Sequence, residues 1–263
     1  MIRVCNLSSG SEGNCTYVEI NSTKLLIDAG ISAAKMVAGL HKLGIQPTEI
    51  QAILISHEHS DHIKGLDVFA GKYNTNIYAH KNLWSVLNKK LTRVLSLYKH
   101  VFFDQPFSIG DATIESVEVP HDALHTSAFS VSDGQNAFSI ITDLGDYDDN
   151  ILSLARNSAL VYIESNHDEE MLRKNQNYSY HLKARILSKK GHLSNNQCAR
   201  VIEKLSQMKT RQFVLSHLSK ENNTPDLAYQ TVCSYLATKN IIEGKHIKID
   251  IASTEMGNIF KIN

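Results

Sequence analysis

The chain is 263 residues long and 42% apolar, and its 27 Lys and Arg offset its 27 Asp and Glu. That length and apolar fraction suffice for a substantial core. There is no run near 18 apolar residues, no charged-then-apolar start of a secretory signal, and no CxxC pair among Cys5, Cys15, Cys198 and Cys233. The expectation is one cytoplasmic domain over 1–263, with free thiols and no membrane partner.

Residues 3–6, 15–20 and 24–28 read as strands, the first two joined by a Gly-rich turn over 8–14. Ser32 is placed to cap a helix with Met36, Val37, Leu40 and Leu43 on one face, and Gly44 to end it. Ala52-Ile53-Leu54-Ile55 is short and β-branched, so a buried strand is predicted there. Helices over 63–73 and 83–97 flank a strand at 76–79, and the chain is strand-rich through Thr142. Ser194-Asn195-Asn196-Gln197 forms a capping box before Cys198, Val201, Ile202 and Leu205 at helical spacing. Thr224-Pro225 opens another helix, with Leu227, Thr231, Val232, Tyr235 and Leu236 inward. Periodicity by itself gives mixed α/β.

His57-Glu58-His59-Ser60-Asp61-His62 follows the 52–55 strand and carries four potential ligands within one tight loop. Imidazole nitrogen and carboxylate oxygen suit Zn²⁺ and its neighbours. His57 and His59 can aim at one metal while Asp61 and His62 turn to a second. A chance run of histidines in a polar loop is the bland account. Against it stand His121, Asp143 and His217, each a polar residue at the end of a further apolar strand.

This ordered set, HxHxDH, then His, Asp and His, resembles the metallo-β-lactamase superfamily. The resemblance implies a four-layer αββα sandwich with metals at one edge. His57, His59 and His121 would hold the first ion, Asp61, His62 and His217 the second, and Asp143 would bridge them. Two ions about 3.5–4 Å apart can share a water and lower its pKa towards neutrality, and Asp61 counts among the catalytic groups on that account. Zn²⁺ is favoured, with Mn²⁺ or Fe²⁺ as alternatives.

Charge is segregated along the chain. Between 68 and 103 there is no acid but there are six basic residues, among them Lys89, Lys90 and Arg93. Acids dominate from Asp104 to Glu170, and a second basic stretch over 171–202 includes Arg185 and Lys189. Flanking basic segments suit a polyanion such as DNA or RNA, since Lys and Arg neutralise phosphates and release counterions. Solvated helix faces are the competing account.

Further candidates surround the motif. Ser9, Ser11 and Asn14 lie in a turn whose N–H groups can cradle a phosphate, or which is a flexible hairpin loop. Gly191-His192-Leu193-Ser194 precedes a helix N-terminus, where an anion is favoured, so Ser194 is a substrate contact and His192 can donate a proton there. Glu164 ends another apolar strand, and His167 can approach the site from its loop. Asp28 matches a superfamily carboxylate that hydrogen-bonds beneath the metal loop and does not ligate; Glu164 is given a similar supporting role. His41, His80, His100, His125, His181 and His246 belong to no motif.

Ser-Gly-Ser-x-Gly-Asn, Leu-Ile-Asp-Ala-Gly, His-Glu-His-Ser-Asp-His, Glu-Ser-Asn-His-Asp, Gly-His-Leu-Ser-Asn and Leu-Ser-His-Leu-Ser together resemble the YycJ/WalJ family, compact bacterial proteins associated with 5′→3′ DNA exonuclease activity. The 144–191 interval is too short for the large insertion of RNase J-like nucleases, and no long Gly/Pro-rich arm like that of tRNase Z is evident. The resemblance implies a metal-dependent hydrolase of phosphodiester bonds, with His192 or His167 assisting the leaving oxygen. Hydrolysis of a carbonyl ester, thioester or lactone, as in glyoxalase II and lactonase relatives, is the alternative. A non-catalytic metal-bearing regulatory protein is a third reading, disfavoured because all seven ligand positions are filled.

Overall fold

In the computed structural model, which describes residues 1–263, two seven-stranded sheets lie face to face. The first contains β1 (Ile2–Ser8), β2 (Cys15–Ile20), β3 (Thr23–Ile27), β4 (Ala52–Ile55), β5 (Asn76–His80) and β6 (Lys99–Phe102) in that order. The second runs β7 (Phe107–Ile109), β8 (Ala112–Glu118), β9 (Ser127–Ser132), β10 (Ala137–Ile141), β11 (Ser158–Glu164), β12 (Gln212–Ser216) and β13 (Lys248–Ile251). The final strand, β14 (Phe260–Ile262), returns to the first sheet and pairs antiparallel with β1. Each sheet is antiparallel at its start and parallel from β3 and β10 onward.

Strand periodicity explains the sandwich. In β4 all four residues are buried. Ala52 and Leu54 enter the core between the sheets, and Ile53 and Ile55 face an outer core under helices. In β11, Leu160 and Tyr162 point inward, while Val161 and Ile163 meet the opposite helical layer. A strand covered on both faces must be apolar throughout, as parallel strands are. The helices α1 (Ala33–Lys42), α2 (Ser60–Ile63), α3 (Leu66–Tyr73) and α4 (Trp84–Lys90) belong to the first half. They are followed by α5 (Asp149–Ala155), α6 (Glu169–Lys174), α7 (Tyr180–Ile186), α8 (Asn195–Ser206) and α9 (Pro225–Thr238). Met36, Leu40, Phe69 and Leu87 pack on the first sheet; Leu152, Val201, Leu205 and Val232 pack on the second. The result is the expected four-layer αββα arrangement. No helix is long and apolar enough to cross a membrane.

The caps at Ser32, Ser194 and Thr224 form as the sequence predicts, each side chain accepting a backbone N–H in the first turn. The inward stripe of α9 is Ala228, Val232 and Leu236, one step from the predicted centre. Two helices differ more. The segment predicted as helix over 83–97 leaves helical geometry at Leu91, because Asp67 accepts hydrogen bonds from Thr92 Oγ1 (3.0 Å) and Arg93 N (2.8 Å). Those bonds offer the backbone an alternative to the helix ladder. The 63–73 helix is split at Gly65, whose N–H donates to Ala29 O (2.8 Å). A Cβ on Gly65 would fall 2.1 Å from Ile31 O, so only glycine lets the metal-motif segment sit this close to the end of β3.

Candidate metal centre

All seven predicted ligands meet at one edge of the sandwich. The ligand atoms of His57, His59 and His121 lie within 4.8 Å of one another, as do those of Asp61, His62 and His217. Asp143 stands between the sets: Oδ2 is 3.3 Å from His62 Nε2, and Oδ1 is 3.6 Å from His217 Nε2 and 3.9 Å from His121 Nε2.

The surroundings decide which nitrogen each imidazole presents. His121 Nδ1 donates to Gly191 O (3.1 Å), His62 Nδ1 to Asp28 Oδ2 (2.7 Å) and His217 Nδ1 to Glu164 Oε1 (2.8 Å). Ser56 Oγ donates to Asp28 Oδ2 (2.8 Å), so its oxygen accepts from His57 Nδ1 (3.0 Å). With Nδ1 used in all four rings, Nε2 is left to point into the site, the arrangement that orients metal-binding histidines. His57, His121 and His217 Nε2 and Asp143 Oδ2 are buried without a hydrogen-bond partner in the protein. Imidazole nitrogens and a carboxylate oxygen that converge with no partner in the protein fit divalent cations.

Electrostatics agrees. Burial opposes charge on His62 and His217, but Asp143 and the neighbouring carboxylates outweigh it and raise both, His217 to about 10. Burial, reinforced by the other histidines, instead holds His57 well below its usual range. The site thus attracts positive charge at its carboxylate side.

The supporting residues come from strand ends. Asp28 follows β3, Asp143 follows β10 and His217 follows β12, with φ of 61°, 59° and 55°. This left-handed backbone is uncommon for residues other than glycine. Asp28 fixes the metal loop by accepting from Ser56 N (2.8 Å) as well as from Ser56 Oγ and His62. Glu164 is fully buried. Its Oε1 accepts from both His217 Nδ1 and His192 Nδ1 at 2.8 Å, and Oε2 accepts from Leu193 N (3.0 Å) and Leu144 N (3.2 Å).

His192 lines a cavity of ≈ 240 Å³ together with His59, Asp61, His121, Asp143 and His217. Burial opposes its charge, yet Glu164 raises its pKa. His167 does not line that cavity; both its ring nitrogens are buried and unpaired, and burial lowers it to about 4. Ser11 reaches the cavity wall. Ser9 is buried, and its hydroxyl accepts His217 N (3.0 Å). Asn14 holds its loop through Gly10 N (2.9 Å), with Nδ2 3.4 Å from Asp61 Oδ2. Ser194 Oγ caps α8 and donates to Glu169 Oε1 (3.2 Å).

The basic residues divide. Lys90 Nζ donates to Glu58 O (3.2 Å) in the metal loop, while Lys89 is exposed beside it. Lys189 pairs with Asp146 (3.1 Å) at the rim of a larger hollow, ≈ 500 Å³, that shares His121 with the metal cavity. Arg93 pairs with Asp67 on α3, Nε to Oδ2 at 3.9 Å. Arg185 Nε donates to Asp122. Sequence reasoning missed Asp122, Ser56 and Asn166, whose Nδ2 donates to His217 O (2.9 Å); the signal available was position, since Asp122 follows His121, Ser56 precedes His57 and Asn166 lies between Glu164 and His167.

Two sheets enclosed by helices, with a His/Asp cluster at the strand ends, define the metallo-β-lactamase fold class. The chain belongs to the β-lactamase superfamily: the family model described as "Beta-lactamase superfamily domain" matches residues 23–218. Among its relatives, Exodeoxyribonuclease WalJ of Streptococcus pneumoniae serotype 2 is 39% identical over 246 residues, covering 92% of this chain and 91% of that one. Exodeoxyribonuclease YycJ of Bacillus anthracis is 34% identical over 251 residues, covering 95% of each. The solved structure of the metallo-β-lactamase fold protein YhfI from Bacillus subtilis superimposes with a TM-score of 0.73 at 18% identity, covering 99% of this chain and 100% of that one.

Proposed function

We propose that this protein is a metal-dependent nuclease that hydrolyses phosphodiester bonds of DNA from an end. The observation that carries the reading is the Glu164 carboxylate, which holds His192 and His217 through one oxygen. It ties a proton donor to the metal edge. Near-full-length similarity to two exodeoxyribonucleases supports DNA as the substrate and an end as the point of attack.

His57, His59 and His121 would hold one divalent ion, and Asp61, His62 and His217 the other, with Asp143 between; the nitrogen-rich donors favour Zn²⁺. Such ions, when bound, activate water and offset charge on the non-bridging phosphate oxygens. The chain's own groups do the rest. Glu164 fixes the His192 ring through Nδ1, leaving Nε2 to give a proton to the departing oxygen. Ser9 and Asn166 hold the His217 backbone, and Asp28 with Ser56 hold the loop opposite. Lys90 on one flank, with Lys189 and Lys190 on the other, bring positive charge to the metal edge for the phosphate backbone. His167, enclosed away from the cavity, serves packing around α8.

The test is cleavage of 5′- and 3′-labelled single- and double-stranded DNA and RNA by the loaded protein, beside a thioester and a lactone. Stepwise release from DNA ends is expected. Turnover of the thioester or lactone with none of the nucleic acids would return the site to the carbonyl-ester reading.

A further inference from the structure

Asp122 stands at the metal edge with no part in the function described above. It follows His121 directly, and Asp122 Oδ1 lies 3.3 Å from His121 Nε2. Both atoms are shielded from solvent and have no hydrogen-bond partner. Because His121 Nδ1 donates to the Gly191 carbonyl, the neutral ring presents its lone pair at Nε2. A lone pair and a carboxylate oxygen therefore face each other in a buried setting, and a cation is what offsets that repulsion.

The carboxylate is also tethered. Its other oxygen accepts from Arg185 Nε on α7, and Arg185, Leu182 and Ile186 of that helix line the same cavity. No residue of α7 is buried; this ion pair, together with His192 N donating to Ile186 O (3.0 Å), links the helix to the metal edge. Gly191, whose carbonyl fixes His121, sits against the Ile186 carbonyl, where a Cβ would fall at 2.1 Å. Two contacts from the 185–191 segment thus converge on the His121–Asp122 step.

We propose that Asp122 is a carboxylate beside the first metal position that supports, without joining the His57, His59 and His121 set, the ion those residues hold, and that Arg185 positions it. The inference rests on the two-ion reading. It also accounts for an asymmetry: the second set contains Asp61, whereas the first has three neutral imidazoles and only a share of Asp143. A further negative charge beside His121 evens the two positions.

Competition with a chromophoric chelator for Zn²⁺ bound to the full-length protein tests this without an activity readout. Wild type should yield two ions. Asp122→Asn should weaken one of them about 10–100-fold and leave the other unchanged, the range seen when groups supporting metal ligands are removed. Asp122→Glu should recover part of that loss, and Arg185→Gln should weaken the same ion by less. Wild-type release of both ions from Asp122→Asn overturns the proposal. If that variant does not fold, unaltered release from both Asp122→Glu and Arg185→Gln overturns it equally. A wild-type protein that takes no Zn²⁺ removes the two-ion reading along with the proposal, whereas two ions in wild type and an unaffected Asn variant remove this inference alone.

Discussion

The two sheets build the metal edge in opposite ways. From the first, a single loop after β4 brings His57, His59, Asp61 and His62. From the second, separate strands each deliver one polar residue: His121 beyond β8, Asp143 beyond β10, Glu164 at the end of β11 and His217 beyond β12. The first contribution is local, fixed by a short stretch of backbone. The second exists only when β10, β11 and β12 lie in parallel register, Ile141 beside Ile163 and Glu164 beside Ser216. A slip of one residue would turn each side chain to the other face of its strand. The loop announces the chemistry, and the register completes it.

Removing the group that joins the two contributions should have the largest effect. Asp143→Ala takes away the carboxylate within reach of both sets, so metal analysis after gel filtration should find both ions lost. Cleavage of labelled DNA should fall about 10⁴-fold or more, as when members of a catalytic unit are deleted. Retention of one ion with an undiminished rate would break the comparison, because one half alone would then suffice.

A smaller effect is expected where the second sheet adds chemistry without ligation. His192→Ala should keep fold and metals and slow phosphodiester cleavage by about 10²–10⁴-fold. A substrate whose leaving group has a low pKa should regain most of that loss, since it needs little protonation. Equal losses for good and poor leaving groups would assign His192 to anchoring the phosphate.

The smallest effect sharpens the comparison at a second seam between the halves. His80, ending β5, stacks on His125, just before β9, with ring centroids 3.6 Å apart. Burial lowers both rings below 6.5; His80 and His125 face Asp104 and Glu118, with Lys81 and Glu58 nearby. An unfolded chain binds protons that the folded one refuses, so this contribution is intact above pH 6.5 and is lost as pH falls below it. Replacing His125 by Gln should flatten the fall in melting temperature from pH 7 towards pH 5. The underlying slope is up to about 1.4 kcal/mol per pH unit for each ring. Parallel curves for the two proteins would show that the stack does not titrate with folding.

The same contrast explains what could be read in advance. The capped helices and the seven polar residues that meet at the edge were legible, because each depends on a short motif or on a polar residue ending an apolar run; the αββα class came from the family resemblance those motifs carry, since periodicity alone gives only mixed α/β. Asp122–Arg185, His80–His125 and the Lys90 bond to the Glu58 carbonyl were not, since each joins residues far apart in sequence and only packing brings them together. The early end of α4 was hidden for a similar reason: Asp67, on α3, supplies the bonds that stop the helix. Among the basic residues, composition could not separate Lys90, which reaches the metal loop, from Arg93, which pairs with Asp67 on α3.

Asp28, Asp143 and His217 occupy left-handed turns that L-residues enter at a cost of about 1–2 kcal/mol each. Glycine is the residue these backbones prefer, and the side chain it lacks is the one the metal edge uses. Robustness and usefulness therefore pull in opposite directions at three positions. What keeps those side chains there is the network they close: Asp28 alone accepts from Ser56 N, Ser56 Oγ and His62 Nδ1, so the strained turn and the bonds it makes possible stand or fall together.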